Sequence, residues 1–214
     1  RMQKIHIVEV GPRDGLQNDP ANLTVDEKLE FIARLEAAGV TRMESGSFVS
    51  PKAVPKMADS PAVFSGLTRG GRTRHIALAL NETGVRRAIE AKADEINFVL
   101  VASETFGRKN QGMSPQDSAD MLATCAPLVH EAGIPLSATI SVAFGDPYDG
   151  DVDIAVVGNL AAQAQRAGIA ELALGDTIGA ATPWHVWRAI DRVRIEAPRV
   201  SWKCIRNVTS GASI

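Results

Sequence analysis

Alternating helix and strand signals, with polar residues gathered where the strands end, predict an α/β fold: a (β/α)8 or TIM barrel that lacks its last strand or strands. The alternation rests on a junction that recurs along the 214-residue chain. An amphipathic helix closes on a small residue and runs directly into an apolar strand. Glu36-Ala37-Ala38-Gly39-Val40 leads into Thr41-Arg42-Met43-Glu44, and His130-Glu131-Ala132-Gly133-Ile134 leads into residues 135–142. Gln165-Arg166-Ala167-Gly168-Ile169 leads into residues 170–174, and Glu90-Ala91-Lys92-Ala93-Asp94, with alanine in place of glycine, leads into residues 95–101. Glycine at such a joint takes the left-handed conformation that ends a helix.

The pattern places strands at residues 5–10, 41–46, 74–80, 94–102, 135–142, 170–175 and 199–205. Helices fill residues 24–38, 59–69, 82–92, 114–132, 151–167 and 182–196. Thr24, Ser114 and Thr182 are expected N-caps, the last followed by Pro183 at the first helical position. No low-complexity segment or linker interrupts residues 1–214, so a single domain is expected.

Chemistry-bearing residues follow the strands, while the helix-to-strand joints are small and bland. Arg13 and Asp14 follow the first strand, Glu44 to Ser47 close the second, and Asn81 follows the third. Ser103 and Glu104 follow the fourth, Gly145-Asp146-Pro147-Tyr148 the fifth, and Gly175-Asp176-Thr177 the sixth. A barrel builds its active site on that end of its strands. A doubly wound sheet also uses strand C-termini, but no Gly-x-Gly-x-x-Gly or Gly-Lys-Ser/Thr loop follows any strand here, which favours the barrel. At the first strand end, Arg13 offers a fixed fork of donors for an anionic oxygen, and Asp14 a hard oxygen ligand for a divalent cation.

Bulk properties exclude several functions. A net charge of −2 with scattered basic residues gives no nucleic-acid footprint. No apolar run approaches the ~18 to 20 residues of a membrane span. Arg1-Met2-Gln3-Lys4 leads into a strand rather than an apolar signal segment. Two cysteines, Cys125 and Cys204, make no disulfide framework, so a cytoplasmic location is expected.

Five segments carry a resemblance. They are Val8-Glu-Val-Gly-Pro-Arg-Asp-Gly-Leu-Gln-Asn18, Ser47-Phe-Val-Ser-Pro-Lys52 with Val54-Pro55, Ala102-Ser-Glu104 with Lys109-Asn110, Pro147-Tyr-Asp-Gly150, and Leu174-Gly-Asp-Thr-Ile-Gly179. In this order and spacing the chain resembles the HMG-CoA lyase family of metal-dependent (β/α)8 lyases across residues 3–198. The resemblance implies retro-Claisen cleavage of 3-hydroxy-3-methylglutaryl-CoA to acetoacetate and acetyl-CoA, with Mg2+ or Mn2+. It makes Asp14 a metal ligand and sets Arg13 where negative charge develops. It makes Asp176 a proton relay, and Arg13, Gln17, Glu44, Ser47 and Ser103 substrate-binding residues. Most have a structural alternative: Arg13 and Asp14 form a pair that pins a turn. Glu44 pairs with Arg13 or Arg42, Ser47 and Ser103 are loop hydrogen-bonders, and Asp176 organises a turn.

The sequence also departs from the family. The resemblance implies two metal ligands from a His-x-His at the end of the seventh strand and one from an asparagine beyond. Residues 200–214 hold no histidine, and His6, His75, His130 and His185 are expected to be surface or packing residues. No eighth strand is expected within residues 1–214, and the open edge that this implies and the family habit suggest a homodimer. Gly46, Val142, Asp146 and Ala173 stand where the family often has threonine, cysteine, cysteine and serine. Two further readings therefore stay open: a related Claisen-type synthase or aldolase, and a catalytically silent barrel that binds acyl-CoA.

Overall fold

The structure is a computed structural model that describes residues 7–206, and the chain forms two compact units. Of the described residues, the first comprises 7–79 with Thr83–Ile96, the second Leu80–Glu82 with 97–206. In the first, a wide helical turn at Gly11–Gly15 runs into the short α1 (Leu16–Asn18). Then come α2 (Val25–Ala37), β1 (Arg42–Ser47), a 3-10 turn at Pro55–Met57, α3 (Ser60–Gly66), β2 (Arg74–Ala79), most of α4 (Glu82–Glu90) and the start of β3 (Glu95–Val101). The second unit holds the rest of β3, α5 (Glu104–Asn110), α6 (Pro115–Glu131), β4 (Leu136–Ser141), α7 (Ile154–Arg166), β5 (Glu171–Asp176), α8 (Pro183–Glu196) and β6 (Ser201–Arg206).

In the first unit β1 and β2 pair in parallel from Arg42↔Arg74 to Ser47↔Leu78, with a bulge between Glu44 and Gly46. Met43, Phe64, Ile76, Val85 and Ile96 are fully buried there, and Phe48 packs edge-on to Phe64 at 5.3 Å. Gly46 is required by this packing, because a Cβ would sit 2.8 Å from Ser60 Oγ and 3.2 Å from the Phe64 ring. Glycine at this position thus lets α3 lie close on β1. At the other end of the strands the buried Glu95 carboxylate takes a two-pronged bond from Arg42, at 3.1 Å from Nε and 2.7 Å from NH2. A charge this deeply buried is tolerable only when paired.

In the second unit β4, β5 and β6 lie side by side in chain order and in parallel, from Ser137↔Glu171 and Glu171↔Ser201 upward. Strand order that follows the chain without a switch is the barrel's arrangement rather than the doubly wound one. Thr24, Ser114 and Thr182 each close a capping box with the residue three positions on, as their position before an apolar period predicts. Among the described residues, no helix is long and apolar enough to cross a membrane.

The first strand and the segment after Ser103 depart most from expectation. Short turns at Gly11–Gly15, Leu16–Asn18 and Pro55–Met57 are also unexpected, and α3 ends at Gly66 instead of residue 69. Of the strand expected at 5–10, residues 5 and 6 lie outside the described residues, and residues 7–10 form a single parallel bridge, Glu9↔Met43. The cause is local: Glu9 turns its carboxylate onto the Gly11 N–H at 2.6 Å, and Pro12 starts the helical turn. The second difference is α5, whose N-cap Ser103 accepts from Phe106 N at 3.1 Å. Gly107 lets this helix pack, since a Cβ there would lie 2.3 Å from the Met113 carbonyl oxygen. Gly107→Ala is expected to destabilise the protein by about 1–3 kcal/mol, the usual cost of overpacking, and urea unfolding measures it.

Candidate active site

In the first unit the reactive-looking residues come together at the C-terminal end of β1. Pro12 and the glycines wind the chain into the turn, in which the N–H groups of Arg13, Asp14 and Gly15 all converge on the Val10 carbonyl at 3.1, 2.7 and 3.4 Å. That turn presents Arg13 to Glu44 on β1. Arg13 Nε donates to Glu44 Oε1, and Arg13 NH1 donates to Asp14 Oδ1 at 3.0 Å. The three side chains are 12%, 3% and 17% exposed. Of the two partners expected for Glu44, Arg13 pairs with it, and Arg42 reaches the Glu95 carboxylate. The NH2 end of Arg13 makes no hydrogen bond to a described residue, so donors remain for an incoming anionic oxygen.

Ser47 ends β1 almost fully buried. Its N–H donates to Ser60 Oγ at 3.0 Å, while its own hydroxyl has no partner among the described residues. A buried orphan hydroxyl calls for an explanation, and a ligand group is one. Gln17, on α1, is half-buried and its amide bonds to no described residue. Asn18 instead ties the short helix back to the Asp14 carbonyl at 3.0 Å.

The second unit holds a Ser103–Asp146 pair and, at the end of β5, Asp176. Ser103 Oγ donates to Asp146 Oδ2 and accepts from Phe106 N, so its single proton is already used. Any contact Ser103 makes with a ligand is therefore as an acceptor. Asp146 is 3% exposed, and its Oδ1 accepts from the N–H groups of Tyr148 and Asp149. Burial pushes the Asp146 carboxyl upward, but the bonds from Ser103 and from the Tyr148, Asp149 and Phe106 backbones outweigh it and hold it below the ordinary value. In sequence Asp146 reads only as a strand-end residue and a departure from the family. The Gly-Asp-Pro triplet, which favours an aspartate-organised turn, was the available signal.

Asp176 ends β5 buried, and its Oδ1 accepts from Ala180 N at 2.9 Å and Ala181 N at 3.2 Å. It organises the following turn, as its structural alternative holds, and Oδ2 keeps accepting capacity beyond its 3.2 Å bond from Ala181 N. In sequence Thr177 reads only as a strand-end residue and Val142 only as a departure from the family. Val142 is fully buried with φ at +49°, a conformation costing a β-branched residue on the order of 1–3 kcal/mol, and its N–H donates to Thr177 Oγ1 at 2.8 Å.

For a divalent cation the described residues offer an incomplete set. Asp14 Oδ2 accepts no bond from a described residue, but one carboxylate does not hold Mg2+ by itself, and no group of three His, Cys, Asp or Glu is poised for a metal among the described residues. His75 is buried and hydrogen-bonded to Ser45, while His130 and His185 are exposed, so none of these three joins Asp14. His6 and residues 207–214 lie outside the described residues.

Compared with known proteins, residues 4–206 match the HMGL-like family model. The chain belongs to the HMGL-like family. A Pseudomonas aeruginosa 3-hydroxy-3-isohexenylglutaryl-CoA/hydroxy-methylglutaryl-CoA lyase is 40% identical over 92% of this chain, which spans 66% of that relative's length. The HMG-CoA lyase from Brucella melitensis superposes with a TM-score of 0.90 at 35% identity, covering 95% of this HMGL-like chain and 72% of its own. A lyase from Acinetobacter baumannii, solved with coenzyme A and 3-methylmalate, gives 0.86 at 34% identity over 92% and 65%. These neighbours bear out the TIM-barrel fold class.

The lowered Asp146 carboxyl fixes the sign of a pH effect. It contributes stability above its unfolded value of 3.8, and that contribution is lost as pH falls through the lower folded value. Asp146→Asn is expected to flatten this acid limb. Acid unfolding followed by circular dichroism tests it, and an acid limb as steep as in the unchanged protein would contradict the assignment.

Proposed function

We propose that this chain carries the strand-end machinery of a carbon–carbon lyase that cleaves 3-hydroxy-3-methylglutaryl-CoA to acetoacetate and acetyl-CoA. The observation that carries the reading is the Arg13 guanidinium clamped between Asp14 and Glu44 with donors to spare, in a chain of the HMGL-like family. Retro-Claisen cleavage removes the proton of the tertiary hydroxyl, breaks the adjacent carbon–carbon bond and leaves the electron pair on the thioester enolate, which is then protonated. Arg13 stabilises the anionic oxygen, a contribution of about 2.7–4 kcal/mol per donor. Asp176 accepts or relays the proton. Gln17, Glu44, Ser47 and Ser103 bind the substrate, with Glu44 also holding the arginine, Ser47 offering its unpaired hydroxyl and Ser103 a lone pair.

Asp14 is proposed as one ligand, among several, of a divalent cation, Mg2+ or Mn2+. The acyl-CoA partner is a proposal too, as are a homodimer and a cytoplasmic location, the last supported by the low cysteine content. The incomplete ligand set among the described residues favours a second reading, a silent acyl-CoA-binding barrel. Product analysis separates the two: incubation of the intact protein with the thioester and Mn2+ yields acetoacetate and acetyl-CoA if the lyase reading holds. Bound but uncleaved thioester is the result the silent barrel predicts.

Arg13→Met is expected to lower turnover by about 10² or more with an unchanged fold, and near-unaltered kcat would remove the proposed role. Asp14→Asn is expected to weaken Mn2+ binding in a calorimetric titration. An unaltered titration would rule Asp14 out as a ligand.

A further inference from the structure

We propose that Thr177 is a positioning residue, whose hydroxyl holds the strained turn after β4 and through it fixes Asp176. Ser141, the last residue of β4, is anchored first: its hydroxyl donates to the Leu100 carbonyl at 2.9 Å and its carbonyl accepts from Ala102 N at 3.1 Å. The next residue, Val142, then takes φ +49° while completely buried. A valine does not stay there unless its surroundings hold it. Two bonds do so, and both come from the residues on either side of Asp176. Val142 N donates to Thr177 Oγ1 at 2.8 Å, and Ala143 N donates to the Gly175 carbonyl at 3.1 Å.

The close approach is built in. A Cβ on Gly175 would stand 3.3 Å from the Ile140 carbonyl oxygen, so glycine lets the end of β5 lie against β4. Asp176 is therefore bracketed: its neighbours are tied to the strained turn, and its carboxylate is tied to Ala180 and Ala181. The Thr177 bond is the side-chain link in that bracket. Without the hydroxyl the valine relaxes, and the backbone that carries the carboxylate moves with it. Glycine at 142 would take the same φ without strain and would no longer need the hydroxyl.

The kinetic arm of the test rests on the lyase reading; the spectroscopic arm does not. In the intact protein carrying 13C-carboxyl aspartate, with the Asp176 signal assigned by D176N, Thr177→Val is expected to move that signal. The same variant should lower kcat about 10- to 100-fold while KM stays within about twofold, the cost of a small misplacement of a reacting group. Thr177→Ser, which keeps the hydroxyl, restores both readouts, and adding Val142→Gly to Thr177→Val restores them as well. A Thr177→Val protein with the Asp176 signal unmoved, or a double variant in which it does not return, would overturn the proposal. If the unchanged protein cleaves no thioester, the lyase reading fails, while the carboxyl signal still decides the role of Thr177.

Discussion

The buried contact between Arg13 and Glu44 is the one on which the rest of the candidate site depends. Glu44 lies on β1 beside the bulge, 3% exposed, and an uncompensated charge so placed would cost about 3–5 kcal/mol. The turn at Gly11–Gly15 exists in the form that brings a guanidinium to it. Glu9 and Pro12 end the extended segment, three N–H groups converge on Val10, and Arg13 arrives between two carboxylates. The arrangement fixes the arginine's plane while leaving one end of its fork to a ligand.

The second unit follows the same logic with different groups. Asp146 is buried and kept ionised by Ser103 and backbone donors, and Val142 is held in an unfavourable conformation by Thr177. Both features sit in the segment that follows β4. Local cost concentrated at a strand's C-terminal end is what a barrel enzyme's site is expected to show, because that end carries chemistry while the opposite end carries stability. At the opposite end of the first unit, Arg42 and Glu95 form a buried pair of the second kind.

Much of the fold is legible in the sequence because it is locally encoded. The capping residues Thr24, Ser114 and Thr182 start their helices where the pattern places them, and six strands fall within a residue or two of expectation. What is not legible depends on side chains distant in sequence or on backbone detail. The extended run at the start is cut short by Glu9 folding back onto Gly11, which no periodicity records. The helix after Ser103 is short and polar, so its period is too weak to detect. At the site, the meeting of Arg13 with Glu44, 31 residues away, follows from the turn at Gly11–Gly15, which no periodicity records. The strain at Val142 leaves no sequence mark at all, since nothing about valine announces a positive φ.

The most direct test of this account is the coupling between Arg13 and Glu44 in thioester cleavage, measured as kcat/KM for Arg13→Lys, Glu44→Gln and the double variant. If the two residues act as one unit, the double variant is little worse than either single one, with a coupling of about 0.5–3 kcal/mol. Losses that simply add would mean that Glu44 does not hold the arginine for catalysis, and the central claim would be wrong.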